Sequence, residues 1–399
     1  MRAVSRDQER LANGPHSAVM PRRRCFAAQL SAVAVGCILL LGLTSCVHTE
    51  QFRNTDGHVI PGSIATMEAV TINGVSQSIW FRGVDRNNPA LVILSGGPGV
   101  SEAVLFRHYN AALEQHFLVV YWEQRGAGRS YHAGIPVESM TIAQFLHDLD
   151  DVVDLVRRRF RKKKVVLLAH SWGTILGTIY AYRHPAKVSA YVGIAQIADM
   201  AAQKQASCRF ALAQARKRGN EGAIDELRKI CPSPDSVDEE LTLGDWVAAF
   251  GGQFHGSLSK GDLIWAALRT DEANLIDIIR FGQGNRFSLE ALRDEYAIID
   301  LTRYKCFQVP VLFLLGRHDW HVPSVLAARY FATVQAPYKR LVWFEYSAHN
   351  PPFAEPRKFN DVMNRMVAPL VSGSHHANRR ASCTHDTSVP TRARRVMRQ

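Results

Sequence analysis

The nine residues V-V-L-L-A-H-S-W-G at 165–173 constrain the fold of this chain more than any other stretch. Four apolar residues ending in small Ala169 read as a strand buried in a parallel sheet. His170-Ser171-Trp172-Gly173 then turns sharply into an apolar helix from Thr174 to Tyr182. A serine on such a turn has its hydroxyl pushed out above the sheet. It also lies beside a helix N-terminus, where unpaired N–H groups favour developing negative charge. Strand and helix pass so close there that small residues are needed two before and two after the serine, and Ala169 and Gly173 meet that need. On these residues alone, an ordinary serine capping an ordinary helix is an equally good reading. The rest of the chain separates the two.

Further strands are predicted for Thr66–Ile72 and Val75–Arg82, a hairpin around Asn73-Gly74, and for 90–94, 117–122, 188–194, 309–315 and 341–346. Helical spacing runs from Ile142 to Phe160 and over the closing segment Pro356–Val367. From Asp199 to about Tyr304 the pattern turns helical, which reads as an insertion capping the site. Parallel strands joined by crossover helices bring their C-terminal ends to one edge, where open α/β sheets place their sites. Ser171, Asp319 and His349 each follow a predicted strand, in the order Ser, Asp, His. A neutral serine hydroxyl is a poor nucleophile, so His349 would take its proton, and Asp319 would hold and stabilise the imidazolium. A tetrahedral oxyanion needs preplaced donors. Candidates are the N–H of Trp172 and one in the loop Ser95-Gly96-Gly97-Pro98-Gly99, most simply that of Gly97. His318-Asp319-Trp320-His321 could also be read as metal ligands. No distant Glu or His run completes such a site, so no metal is expected. Arg125 is expected to pair with a carboxylate and fix its own loop.

Charge excludes little until it is divided along the chain. The net charge of +12 carries +4 in residues 1–45 and +5 from Ser372 onward, leaving about +3 on the body, so no nucleic-acid face is required. Arg22-Arg23-Arg24, an apolar run over 25–43 and Leu43-Thr44-Ser45-Cys46 describe a secretory signal. The tetrapeptide resembles the lipobox of bacterial lipoproteins, which implies cleavage before Cys46 and a lipid on its thiol. The body would then be exported and tethered to membrane lipid. A single membrane-spanning anchor is the alternative. Cys208 and Cys231 lie in the insertion and are the pair to test first for a disulfide, with buried free thiols as the alternative.

S-G-G-P-G at 95–99, E-Q-R-G-A-G-R-S at 123–130 and A-H-S-W-G-T at 169–174, with G-R-H-D and S-A-H-N, resemble the motifs of the proline iminopeptidase family of α/β-hydrolases over about 65–370. The resemblance implies removal of an N-terminal residue from small peptides without a cofactor. Ser171 becomes the nucleophile, Asp319 the acid, His349 the base, and Gly97 and Trp172 the oxyanion donors. Ser95, Glu123 and Ala169 depart from the family's usual His, Asp and Gly. The family binds the substrate's free amine through cap carboxylates in a Trp-rich segment ending in Trp-Glu, and this cap lacks that segment. Gly96, Asp245 and Glu272 are the remaining substrate-binding candidates.

The expected architecture is thus an α/β-hydrolase fold with a mostly parallel sheet. Residues 1–45 form the signal, 46–63 a spacer, 64–198 with 305–371 the core, 199–304 the helical cap, and 372–399 a disordered basic tail. The expected activity is a serine hydrolase, by resemblance an aminopeptidase acting on a small peptide. An esterase or amidase on the same triad, and a fold retained only for binding, are the alternatives.

Overall fold

The structure, a computed structural model, describes residues 48–372. The expected signal, the lipid site at Cys46 and the tail from 373 onward lie outside the described residues.

Long apolar runs build the sheet. Its strands are β1 (Ile64–Ile72), β2 (Val75–Gly83), β3 (Ala90–Leu94), β4 (Leu118–Trp122), β5 (Val165–His170), β6 (Val188–Ile194), β7 (Val311–Gly316) and β8 (Lys339–Phe344). They lie in the order β1-β2-β4-β3-β5-β6-β7-β8. The β1–β2 and β2–β4 pairs are antiparallel, and the five pairs from β4 to β8 are parallel. The hairpin turns at Asn73 and Gly74, both at positive φ, as its dipeptide predicts. In the central strands both alternating sets of side chains are buried. Val92, Val120, Leu167 and Phe313 face one core, whereas Leu91, Val119, Leu168 and Leu314 face the other. Helices on both faces require this, so each strand reads as a continuous apolar run. The last strand begins two residues earlier than its apolar pattern predicts. Lys339 and Arg340 are exposed at the sheet edge, where charged residues are tolerated and hide a strand from a hydrophobicity reading.

On the core lie α1 (Ala103–Asn110), α2 (Ile142–Arg159) and α3 (Gly173–Arg183). The cap consists of α4 (Met200–Lys217), α5 (Glu221–Ile230), α6 (Val237–Ala249), α7 (Lys260–Leu268) and α8 (Leu275–Ala297). After it come α9 (Ser324–Thr333), α10 (Pro351–Ala354) and α11 (Pro356–Val362), the last continuing as a π-helical turn to Val367. The insertion has a narrow neck, where Met200 N–H donates to Ile299 O at 2.9 Å and Leu301 N–H donates to Ala198 O at 2.7 Å. It has its own small core, including Ala211, Leu227 and Val247. A Cys208–Cys231 disulfide, with Cα atoms 5.7 Å apart, joins α4 to the end of α5.

Residues read as a spacer are packed down. His48 N–H donates to Asp271 O at 3.2 Å, Gln51 Nε2 to Ala65 O at 2.7 Å, and the buried Arg82 to Glu50 O at 2.8 Å. These are isolated polar contacts with no period, so nothing in the local sequence announces them.

Helix α8 fixes the cap to the loops of the site. A Cβ placed on Gly284 would lie 2.3 Å from Gly126 O and 3.2 Å from Gly99 O, so the helix backbone rests directly on both loops. Asn285 Nδ2 donates to Pro98 O at 2.7 Å, and Arg129 pairs with Asp277 at 2.8 Å. A Gly284→Ala variant must lift α8 from the loop that carries Gly97. The expected result is a loss of about 1–3 kcal/mol in stability. It is accompanied by a fall of about 10–100-fold in kcat/KM, because small displacements of reacting geometry are costly. Thermal melts and steady-state kinetics read the two effects, and an unchanged kcat/KM would contradict this role for the contact.

Candidate active site

The turn after β5 is held in a strained form. Ser171 has φ +51°, a left-handed conformation that costs a non-glycine residue on the order of 1 kcal/mol. The surroundings leave it little choice. Ser171 N–H donates to Ile194 O at 3.0 Å, while Thr174 N–H and Oγ1 donate to Ser171 O at 2.8 and 2.6 Å. A Cβ on Gly173 would meet Leu94 O at 2.1 Å, so only glycine lets α3 begin this close to β3. Trp172 is fully buried, and its indole N–H donates to Gln124 Oε1 at 3.0 Å. Gln124 Nε2 in turn donates to Ser95 O at 3.3 Å. The E-Q-R segment thereby ties the serine turn to the glycine loop.

His349 and Asp319, 30 residues apart in sequence, come together beyond β8 and β7. His349 Nδ1 lies 3.0 Å from Asp319 Oδ2, and Asp319 Oδ1 accepts the N–H groups of His321 and Val322 at 2.9 and 2.8 Å. Burial pushes the Asp319 carboxyl up to about 7, and the Val322 and His321 N–H groups pull the other way. Two backbone N–H groups donate to this carboxyl, and an ionised carboxylate accepts a third bond from His349 Nδ1–H, so we assign the ionised form. Burial, reinforced by the nearby His170, holds His349 well below the ordinary histidine range. Neutral His349, with its Nδ1–H directed to Asp319, keeps Nε2 as the proton acceptor. His321, its ring 4.7 Å from that of His349, is pushed down to about 3 by burial and by His349, so it stays neutral.

Ser171, His349, Gly96 and Gly97 line one cavity of about 510 Å³ beneath the cap, and Asp319 sits behind His349. Among the described residues neither Gly97 N–H nor Trp172 N–H has an intramolecular acceptor. Trp172 follows Ser171 directly in the chain, and Gly97 lines the same cavity as the serine. The other candidates divide. Gly96 N–H is already taken by Glu102 Oε2 at 2.7 Å. Glu272 lines the cavity but is buried, with Oε1 taking Thr49 Oγ1 at 2.7 Å and Arg107 Nε at 3.1 Å. Asp245 is exposed on α6 and lines the cavity. Arg125 makes its expected pair, with Asp148 at 2.9 and 3.0 Å, both residues fully buried. Sequence reasoning missed Glu102 and the use of His170, whose ring lies 2.7 Å from that carboxylate. They are 68 residues apart, and no local pattern links them.

A base with a lowered pKa stays neutral further into acid. With His349 in the role of base that the sequence assigns it, the acid limb of kcat/KM would be expected below the ordinary histidine value of about 6.5. A pH–rate profile checks this, and a limb at or above that value would contradict the buried, neutral base.

A strand–serine–helix turn at the edge of a mostly parallel sheet, with a buried His–Asp pair under a helical cap, defines a hydrolase scaffold. Residues 89–215 match the family described as alpha/beta hydrolase fold. Over 306 residues the chain is 31% identical to "Probable aminopeptidase YbaC" of Bacillus subtilis (strain 168), spanning 76% of this chain and 96% of that one. The chain belongs to the α/β-hydrolase family. A shorter stretch of 112 residues is 33% identical to "Probable proline iminopeptidase" of Streptomyces coelicolor, covering 28% of this chain and 33% of that one. The solved proline iminopeptidase of Mycobacterium smegmatis has the same fold, with a TM-score of 0.56 at 16% identity over 78% of this chain and all of that one.

Proposed function

We propose that this protein is a serine hydrolase of the iminopeptidase type, cleaving the amide bond after an N-terminal residue through an acyl-enzyme on Ser171. The carrying observation is that Ser171 and His349 face one cavity, with Asp319 paired to His349 from behind, Gly97 in the same lining, and the N–H groups of Gly97 and Trp172 unspent among the described residues. In this reading Ser171 Oγ attacks the carbonyl carbon as its proton passes to His349 Nε2. The oxyanion is held by the Gly97 and Trp172 N–H groups. His349 then returns the proton to the departing amine, leaving the acyl-enzyme. A water, deprotonated by His349, attacks the ester and releases the acid and Ser171. The 31% identity to a chain named an aminopeptidase supports the choice of amide substrates.

One observation favours an esterase on the same machinery. Three of the cavity carboxylates, Glu240, Glu272 and Asp277, each already face a cation, Lys204, Arg107 and Arg129 respectively, so they are poorly placed to take a substrate amine. That leaves the task to exposed Asp245 on α6, with no cation partner among the described residues. Amino-acid arylamides with free and acetylated N-termini, assayed beside short acyl esters, decide between the two. Turnover that requires the free amine supports the peptidase. Turnover of esters alone removes it. We also infer from the run before Leu43-Thr44-Ser45-Cys46 that the chain is exported and lipidated. Palmitate labelling that is lost in Cys46→Ala tests this.

A further inference from the structure

The residue before the serine, His170, is fully buried and makes two hydrogen bonds to groups in different parts of the fold. Its Nδ1 lies 2.7 Å from Glu102 Oε1, and its Nε2 lies 2.9 Å from the backbone carbonyl of His349. A carbonyl can only accept, so Nε2 carries hydrogen. Glu102 Oε2 accepts the Gly96 N–H at 2.7 Å, and the Glu102 N–H donates to Ser95 Oγ at 3.3 Å. One buried pair thus touches the glycine loop, the serine turn and the backbone of the candidate base.

We propose that Glu102 and His170 form a charged positioning dyad, a carboxylate and a doubly protonated imidazole. The dyad holds the three loops of the site in register and opposes a second proton on His349. The proposal rests on the triad reading for its effect on reactivity, though not for its charge state. Position comes first. Without His170 the His349 carbonyl loses its donor, and without Glu102 the Gly96 N–H loses its acceptor, so the loop bearing Gly97 is freed from the serine turn. Charge follows from distance. The rings of His170 and His349 have centroids 5.0 Å apart in a fully buried site, where a positive charge strongly disfavours another one. The remaining titratable groups facing His349 are Asp319 on its far side, His321 and, behind His170, Glu102. His321 is neutral and Asp319 is spoken for by His349 Nδ1 and two backbone N–H groups. The charge that sets the proton affinity of His349 from the serine side is therefore that of His170. In agreement, Glu102 is held below the usual carboxylate range by His170 and Gly96 against its burial. His170 is held above the usual histidine range by Glu102 against the same burial.

The test uses the full chain. Nitrogen-15 histidine NMR reads protonation directly, with ring signals assigned by the His170→Gln and His349→Gln variants. Two protonated nitrogens on His170 at neutral pH are expected, together with a titration of His349 that moves to higher pH in His170→Gln. A singly protonated His170 beside a protonated Glu102 overturns the proposal whether or not the protein is a hydrolase. Reactivity is read by the pH dependence of fluorophosphonate labelling at Ser171, which needs no knowledge of the substrate. In His170→Gln, which keeps an N–H donor for the His349 carbonyl, the acid limb is expected to move up. Labelling at mildly acid pH then falls about tenfold or more relative to the variant's own plateau, a one-unit move being a factor of ten. Glu102→Gln, which leaves His170 neutral, is expected to move the limb in the same direction by less, and serves if His170→Gln does not fold. A uniform loss at every pH with the limb unmoved would mark a purely structural pair and overturn the proposal. Wild-type protein that folds but is not labelled at Ser171 sinks the triad reading, and the NMR arm then decides the dyad by itself.

Discussion

Ser171→Ala is expected to lower kcat by a factor on the order of 10⁵–10⁶, leaving the fold and substrate binding in place. The size follows from the division of labour in the site. The proposed base has nothing to deprotonate once the hydroxyl is gone, so the Ser171–His349–Asp319 unit fails as a whole rather than in part. What remains is the two unspent N–H groups and the cavity, which still bind a polarised carbonyl and leave weak residual turnover by water. Alanine keeps the Cβ, and the left-handed backbone at this position is held by the bonds to Ile194 and Thr174, which do not involve the serine hydroxyl. The melting temperature should therefore hardly move. Steady-state kinetics on whichever substrate the panel identifies, with a thermal melt beside it, checks both halves. Retention of more than about a hundredth of wild-type kcat would mean that Ser171 is not the nucleophile.

Asp148→Ala is expected to act on stability, and strongly. This fully buried carboxylate accepts hydrogen bonds from Arg125 Nε and Nη2, from Asn73 Nδ2 at 2.9 Å, and from Gln77 and Gln144 Nε2 at 2.8 Å each. Removing it strands a buried guanidinium, and breaking one side of such a pair typically costs about 3–5 kcal/mol. The β1–β2 turn, β2 and α2 all lose their common acceptor. Denaturant unfolding at constant slope should therefore show a lower midpoint. The Arg125→Met, Asp148→Leu double variant, which removes both charges, should recover much of the loss. A loss below about 1 kcal/mol in the single variant would show that water reaches Arg125 and that its burial is not maintained.

Much of this was legible along the chain. The apolar runs of β3 to β7 were readable because burial on both sheet faces leaves no polar residue to interrupt them. The hairpin was readable because Asn73-Gly74 suits only a narrow class of turn. Ser171, Asp319 and His349 could be named because each follows a strand, and strand ends in a parallel sheet meet at one edge. The site's supports were not legible. Gly284 is one glycine within a long helix, and only its approach to Gly126 and Gly99 explains it. Glu272 looks like a free acidic residue in a loop until Arg107 and Thr49 are placed against it. Lys339 and Arg340 concealed the start of β8 because an edge strand need not be apolar.

By itself, the order of residues determined the strands, most of the helices though not α1 or α9, where the sharp serine turn lies and which three side chains could share a reaction, since each of these is written in local period and turn chemistry. Only the tertiary structure decided which carboxylates are already paired with a cation, which N–H groups remain unspent and which histidine stands beside His349. Those depend on partners such as Glu102 with His170 or Asp277 with Arg129, separated by 68 and 148 positions. Hydrogen bonding and electrostatics act over a few ångströms of space, and no pattern along the chain records which distant residues share them.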